Sequence, residues 1–397
     1  MKRPKILAVS LALAAAAVCV AAVLYFRSGT HPAGAREGLV VYIGTYGNHL
    51  YRYIFDASDG GFTPLGQAEV RNPSYIALGE ENMRDGIYDI YAVSESGDSS
   101  GVFSFADNIG ISRTGDAVTG EDPCYILFDN ACSLVMTADY SGGSVSVFRV
   151  NDDGSVGEKL QTLRFEGSGP VPGRQESSHI HQLKFLPASA SGRYLLAADL
   201  GADRIRILKL ERNADKVSAS HPGDSALAYI PGLDVDCGAG SGPRHMAVDT
   251  LRHRVYCLTE ISGELLVFDY SFNVDGQPVL SLSDRIEIPE AQGGGSADIH
   301  LHPSGRFLYT SHRLRKDGIA LFTVADDGTL SRTAYYKTRR HPRNFCITPD
   351  GSMLMVASRD EKSVDVYDID PETGCLDYSG ARLRFEEDMP SCIVIAE

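Results

Sequence analysis

The chain has no tryptophan, which counts against WD-type and sialidase-type repeats, whose signatures use that residue. It has no excess of positive charge: its 397 residues carry a net −15, which excludes an extended nucleic-acid surface, so no nucleic-acid partner is expected. No Cys-x-x-Cys pair is present, nor any EF-hand, Walker or His-Glu-x-x-His pattern, and neither a metal nor a cofactor is expected. The Asn-x-Ser match at Asn72 is blocked by Pro73. Eight cysteines include Cys19 in an apolar run, and the remaining seven cannot all pair within one chain. Cys124, Cys257 and Cys346 lie in apolar, strand-like runs and read as buried free thiols.

What is present is globular: 43% hydrophobic and 22% charged residues. Forty Gly, 18 Pro and 19 Tyr point to many short strands and tight turns. Lys2, Arg3 and Lys5 precede Ile6 to Phe26, 21 residues without a charge, and Arg27 ends the run. A spanning helix needs about 20 residues, and a secretory apolar region is shorter. Residues 1–27 therefore read as a signal anchor or a signal peptide, with the N-terminus in the cytoplasm. Residues 28–37 read as a linker. The rest is expected outside the cytoplasm, on the periplasmic side, touching membrane only through the N-terminal segment. The first 30 residues hold four basic and no acidic side chains, so the remainder carries −19 and is repelled by anionic lipid.

From residue 38 the sequence repeats. A turn residue, often before Pro, opens one apolar run: NPSYIAL, DPCYILF, SHIHQLKF, GPRHMAV, SADIHLH, HPRNFCI, MPSCIVI. A second run ends in small or polar residues: LVVYIGTY, IYDIYAVSE, SLVMTADYS, RYLLAADLG, RVYCLTEIS, RFLYTSHRL, MLMVASRDE. A third alternates with period two, as in GSVSVFRV and KSVDVYDI, and Asp/Gly turns such as Asn151-DDGS follow it. Each piece occurs seven times, a period of about 51 residues, with room for a weaker fourth strand. Residues 38–397 are thus expected to form an all-β, seven-bladed β-propeller with four antiparallel strands per blade. The C-terminal run would supply the innermost strand of the blade that the N-terminus begins. A monomer is expected.

This topology places the start of every innermost strand and the end of every second strand on one face. The starts offer His179, His181, Arg244, His245, Asp298, Arg343 and Asn344. The ends offer Glu95, Asp139, Asp199, Glu260, His312, Arg313, Arg359 and Asp360. Such a mixture suits an anionic small molecule that needs acid–base chemistry. His179-x-His181 puts two imidazoles on one strand face, for acid–base work, for a metal that lacks further ligands, or for structure alone. His300-x-His302 runs into an HPSG turn and reads as structural. Arg244 and Glu260, 16 residues apart, could meet across one hairpin as an ion pair or as a functional pair. Arg339, Arg340, His341 and Arg343 form a basic run that reads either as a phosphate contact or as a solvated rim. Gly97-DSS-Gly101 matches a nucleophile elbow in pattern but lies between two strands. Gly167 to Gly173 reads as a loop whose prolines remove amide donors.

These stretches together resemble the lactonase-type seven-bladed propellers, which include bacterial propeller 6-phosphogluconolactonases and fungal carboxy-muconate cycloisomerases. The resemblance covers VYIGTY at 41–46, NPSYIAL at 72–78, DYSGGSVSVF at 139–148 and HIHQ with RYLLAADLGADRI at 179–205. It continues through GPRHMAV and the following TE at 242–260, HPSGRFLYTSHR at 302–313 and HPRNFCITPDG at 341–351. It implies catalytic roles for His181, Arg244, Glu260 and Arg313. His179, His245, Asp199 and Arg343 stand beside them as expected substrate contacts. His312 stands where the family usually has Asn, and residues 211–242 lengthen the fourth blade. The implied function is hydrolysis of a sugar-acid or related anionic lactone, with Glu260 or His181 taking the proton from water. The alternatives are a non-catalytic propeller that binds an anionic small molecule and a muconate-type cycloisomerase.

Overall fold

A computed structural model describes residues 38–79, 88–107, 110–211, 213–218 and 225–396, and the N-terminal apolar run and linker lie outside them. No helix among the described residues is long and apolar enough to cross a membrane. The described residues form seven antiparallel sheets whose strands follow one another from the inside outwards, which is a seven-bladed β-propeller. In the first blade the innermost strand is Met389–Ile395, paired with Leu39–Tyr46, so the last strand of the chain closes the ring. The other blades begin with Ile76–Leu78, Pro123–Asp129, Ile180–Phe185, Pro243–Asp249, Ser296–Leu301 and Pro342–Ile347. In the fourth blade Leu227–Tyr229 and Val235–Asp236 share the outermost position, both paired to Arg204–Leu210. The lengthened stretch 211–242 supplies both.

The second strands are apolar on both faces because both faces are buried. Leu134–Asp139 and Phe307–His312 are buried throughout, packed between neighbouring blades. One side of Tyr194–Ala198 meets the third blade through Leu195 and Ala197. The other side meets the fifth through Tyr194, Leu196 and Ala198. The core is therefore seven apolar seams, one at each blade junction, rather than one central mass.

Two features aim side chains at one face. The first is a bulge near the start of the innermost strands. Pro243 pairs with Thr259 and His245 with Leu258, so Arg244 is an extra residue without a partner. Cys124, His181 and Arg343 occupy the same position in the third, fourth and seventh blades. A bulge bends the strand and redirects the extra side chain. The second is a tight turn before the strand. Gly242 at φ 62° and Gly295 at φ 104° place their carbonyls to accept the backbone N–H of Glu260 at 2.7 Å and of Arg313 at 2.8 Å. A Cβ on Gly295 would meet the carbonyl oxygen of Arg313 at 1.9 Å, so only glycine fits there.

Candidate active site

Three of the redirected residues, Cys124, His181 and Arg343, and residues just past the second strands meet in a cavity of about 170 Å³. It is lined by Glu95, Cys124, Tyr140, Arg174, His181, Glu260, Arg313 and Arg343. Glu260 is its organising group. Its Oε2 accepts from Arg244 Nε at 2.9 Å and Arg313 Nη2 at 2.9 Å, and its Oε1 from Arg174 Nη2 at 2.7 Å. Burial alone would raise its carboxyl. The charges of Arg313, Arg244 and Arg174 overturn that and hold it well below the usual carboxylate range. Arg313 is pushed down to about 9 by burial and by Arg244 and Arg343, against the pull of Glu260, and stays charged at neutral pH.

Across the cavity Arg343 donates to the hydroxyl of Tyr46, its guanidinium 4.8 Å from the ring centre, and Tyr46 donates to Glu95 Oε2 at 2.6 Å. His181 is 4% exposed. Burial, then the charges of Arg244, His245 and Arg343, hold its imidazole well below the usual histidine value, so it is neutral at pH 7. Its Nδ1 lies 3.7 Å from Cys124 Sγ, and its ring meets Tyr140 edge-on at 5.5 Å. Burial, foremost, pushes the Cys124 thiol well up, which leaves it a poor nucleophile. Three guanidiniums and two carboxylates line the cavity and Arg244 stands directly behind Glu260, so this cluster carries +2 within an acidic chain.

Of the eight residues expected at the site, His181, Glu260, Arg313 and Arg343 line the cavity. Arg244 is one layer back, 2% exposed, held by Glu260 and the carbonyl of Ala297. The other three depart from expectation. Asp199 is fully buried, accepting from Ser178 Oγ at 2.6 Å, Arg206 Nε at 3.0 Å and the His179 amide at 2.9 Å. The reason is the period of two: Asp199 aligns with Asp139, Thr259 and His312, whose hydrogen bonds stay within their own blades, whereas Tyr140, Glu260 and Arg313, each the following residue, line the cavity. In the fourth blade that residue is Leu200. His312 is likewise enclosed, against Ser296 Oγ at 3.0 Å and Thr310 Oγ1 at 2.7 Å.

His179 stacks on Tyr140 at 4.5 Å and supports that wall from behind. His245 faces the central channel, its Nδ1 2.7 Å from Asp298 Oδ1, while Asp298 Oδ2 accepts from Asn344 and lies 3.0 Å from His300 Nε2. Burial and Arg244, against Asp298, push His245 down to about 4, and its Nε2 has no hydrogen-bond partner among the described residues. Arg340 pairs with Glu361 and Arg339 with Asp365, leaving only Arg343 of the basic run at the cavity. His341 stands at φ 62° with Nε2 3.2 Å from Arg313 Nη1. Sequence reasoning missed Cys124, Tyr140 and Arg174. Cys124 and Tyr140 share the repeat positions of Arg244 and Glu260, which was a usable signal. Arg174 follows the Gly/Pro loop directly before an innermost strand, and only that placement hinted at it.

Among the described residues no three His, Cys, Asp or Glu side chains are grouped to hold a metal ion. A family model described as Lactonase, 7-bladed beta-propeller, matches residues 40–395. A 6-phosphogluconolactonase of Bacillus subtilis is 27% identical over 350 residues, 84% of this chain and 92% of that protein. The crystal structure of a candidate 6-phosphogluconolactonase of Bacteroides fragilis matches with TM-score 0.80 and 33% identity over 92% of this chain and all of that one. The periplasmic gluconolactonase of Pseudomonas aeruginosa matches with TM-score 0.74 and 25% identity over 90% of this chain and 99% of that one.

Proposed function

The chain belongs to the lactonase seven-bladed β-propeller family, and from that premise we propose that it is a lactone hydrolase acting on a sugar-acid or related anionic lactone. The observation that carries this reading is a neutral imidazole, His181, facing charged guanidiniums inside one small cavity. Water attacks the lactone carbonyl carbon. His181 takes a proton from that water, because it is unprotonated at neutral pH. Arg313 and Arg343 donate to the carbonyl oxygen as it becomes an oxyanion, and a donor so placed is worth about 10²–10³ in rate. The ring C–O bond then breaks, and the imidazolium of His181 returns its proton to the leaving alkoxide. Glu260 is not the base, since three arginines occupy its oxygens and keep it ionised. Its part is to hold Arg313 in place, with Arg244 fixed behind it. The cluster's charge of +2 favours a substrate bearing an anionic group.

The apolar run Ile6 to Phe26 and the likeness to a periplasmic gluconolactonase support a propeller held outside the cytoplasm by an N-terminal anchor. Protease added to intact spheroplasts should digest the propeller; protection would place it in the cytosol. For the reaction, the test is turnover of aldonolactones, neutral and phosphorylated, by the purified chain, followed as acid release. Product must be the open hydroxy acid. A ligand that raises the melting temperature and is never converted would instead show a binding protein, and an isomerised lactone would show a cycloisomerase.

A further inference from the structure

Arg174 differs from the other guanidiniums of the cavity. Its side chain is 40% exposed, against 7% for Arg313. Among the described residues its one ion pair is to Glu260 Oε1, the oxygen that neither Arg244 nor Arg313 uses. It can therefore leave without freeing Glu260, which keeps two arginines on Oε2. The backbone that carries it is fixed by Gln175, which is 1% exposed. Gln175 Nε2 donates to Leu200 O at 2.8 Å and Asp203 Oδ1 at 2.7 Å, and its Oε1 accepts from the Val171 amide at 3.2 Å. The side chain is held at its tip, by Glu260 and by a hydrogen bond with Tyr140. The exchange swaps one anionic partner for another, so the guanidinium is not left unpaired.

We propose that Arg174 is the specificity residue for the substrate's anionic group: it leaves Glu260 when the lactone enters and takes a phosphate or carboxylate remote from the lactone carbonyl. This rests on the lactonase reading. Glu260 then serves as a resting place for Arg174 in the free protein, so this guanidinium is paired before substrate arrives. Guanidinium geometry matches the two oxygens of such a group.

The test compares 6-phosphoglucono-1,5-lactone with glucono-1,5-lactone, which lacks the anion, using the full chain, Arg174→Gln and Arg174→Lys. In Arg174→Gln the ratio of kcat/KM values, phosphorylated over neutral, should fall about 10- to 100-fold, the worth of one hydrogen bond between charged groups, chiefly through KM. Arg174→Lys should recover most of that ratio, which a merely structural loop residue would not do. If Arg174→Gln lowers both substrates equally, or neither, the assignment of Arg174 falls and the lactonase reading stands. If the parent chain hydrolyses neither lactone, both fall.

Discussion

Replacing Glu260 with Gln removes the one negative charge on which Arg174, Arg244 and Arg313 converge at 2.7, 2.9 and 2.9 Å. Arg244 and Arg313 are only 2% and 6% exposed, so water cannot take over. Breaking a buried ion pair by deleting one partner costs about 3–5 kcal/mol, because the remaining charge loses its compensation. Gln keeps an acceptor oxygen, so we expect the lower end, about 3 kcal/mol, together with a fall in kcat of about 10²–10³ as Arg313 loses its anchor. Urea unfolding of parent and variant across pH measures the first, and initial rates measure the second.

The sign with pH is fixed by the direction of the shift. The folded carboxyl lies far below its ordinary value of 4.5, so its contribution is complete above pH 4.5 and is lost as pH falls toward the folded value. The stability gap between parent and variant must therefore narrow on acidification. Phosphate should stabilise the variant more than the parent, since an anion can occupy the vacated charge position. Equal unfolding midpoints at neutral pH, or a gap that widens in acid, would refute the argument that Glu260 organises the arginines.

Three further outcomes follow from the geometry. Activity should hold constant from neutral pH to well below pH 6.5, because burial and the arginine charges depress His181; a pH–rate profile that titrates near 6.5 and loses that step in His181→Gln would contradict this. Gly295→Ala should abolish most activity and lower the melting temperature, since its Cβ meets Arg313 O at 1.9 Å; rates and thermal melts of the variant check it, and a fully active Gly295→Ala is incompatible with the turn described. Asp199→Asn should lower stability by roughly 1–3 kcal/mol, through weakened bonds to buried Arg206, and leave KM as it is. A raised KM measured at full folding would return Asp199 to the site.

The ring of blades was legible because every repeat carries the same punctuation, and the closing strand followed from the order of its pieces. The convergence of His181, Glu260, Arg313 and Arg343 was legible for the same reason: topology alone puts strand starts and strand ends on one face. Asp199 was misplaced because alternation distinguishes neighbours by one residue, and a buried Asp that accepts hydrogen bonds within its own blade looks in sequence like a site carboxylate. His245 was misplaced because a bulge shifts the strand by one position, and Arg244, not His245, is the extra residue. Nothing in a single sequence announces a bulge. The order of the arginines was also hidden, since Arg174 reaches Glu260 from 86 residues away in sequence, and only coordinates reveal that three of them share one carboxylate.

The pairing of Leu39–Tyr46 with Met389–Ile395 has a consequence for how the chain is made and how it comes apart. Most chains fray from their ends. Here the first and last strands of the ring clasp each other through six residue pairs, and the Ile393 amide also donates to Asn344 Oδ1 at 2.8 Å. The sheet synthesised first is completed last, so a nascent chain exposes an unpaired inner edge until its final residues emerge. Cutting away the final strand would do more than shorten the tail: it would unlatch the ring at the seam between the seventh and first blades, where Val41, Ile43, Met355 and Ile393 pack together.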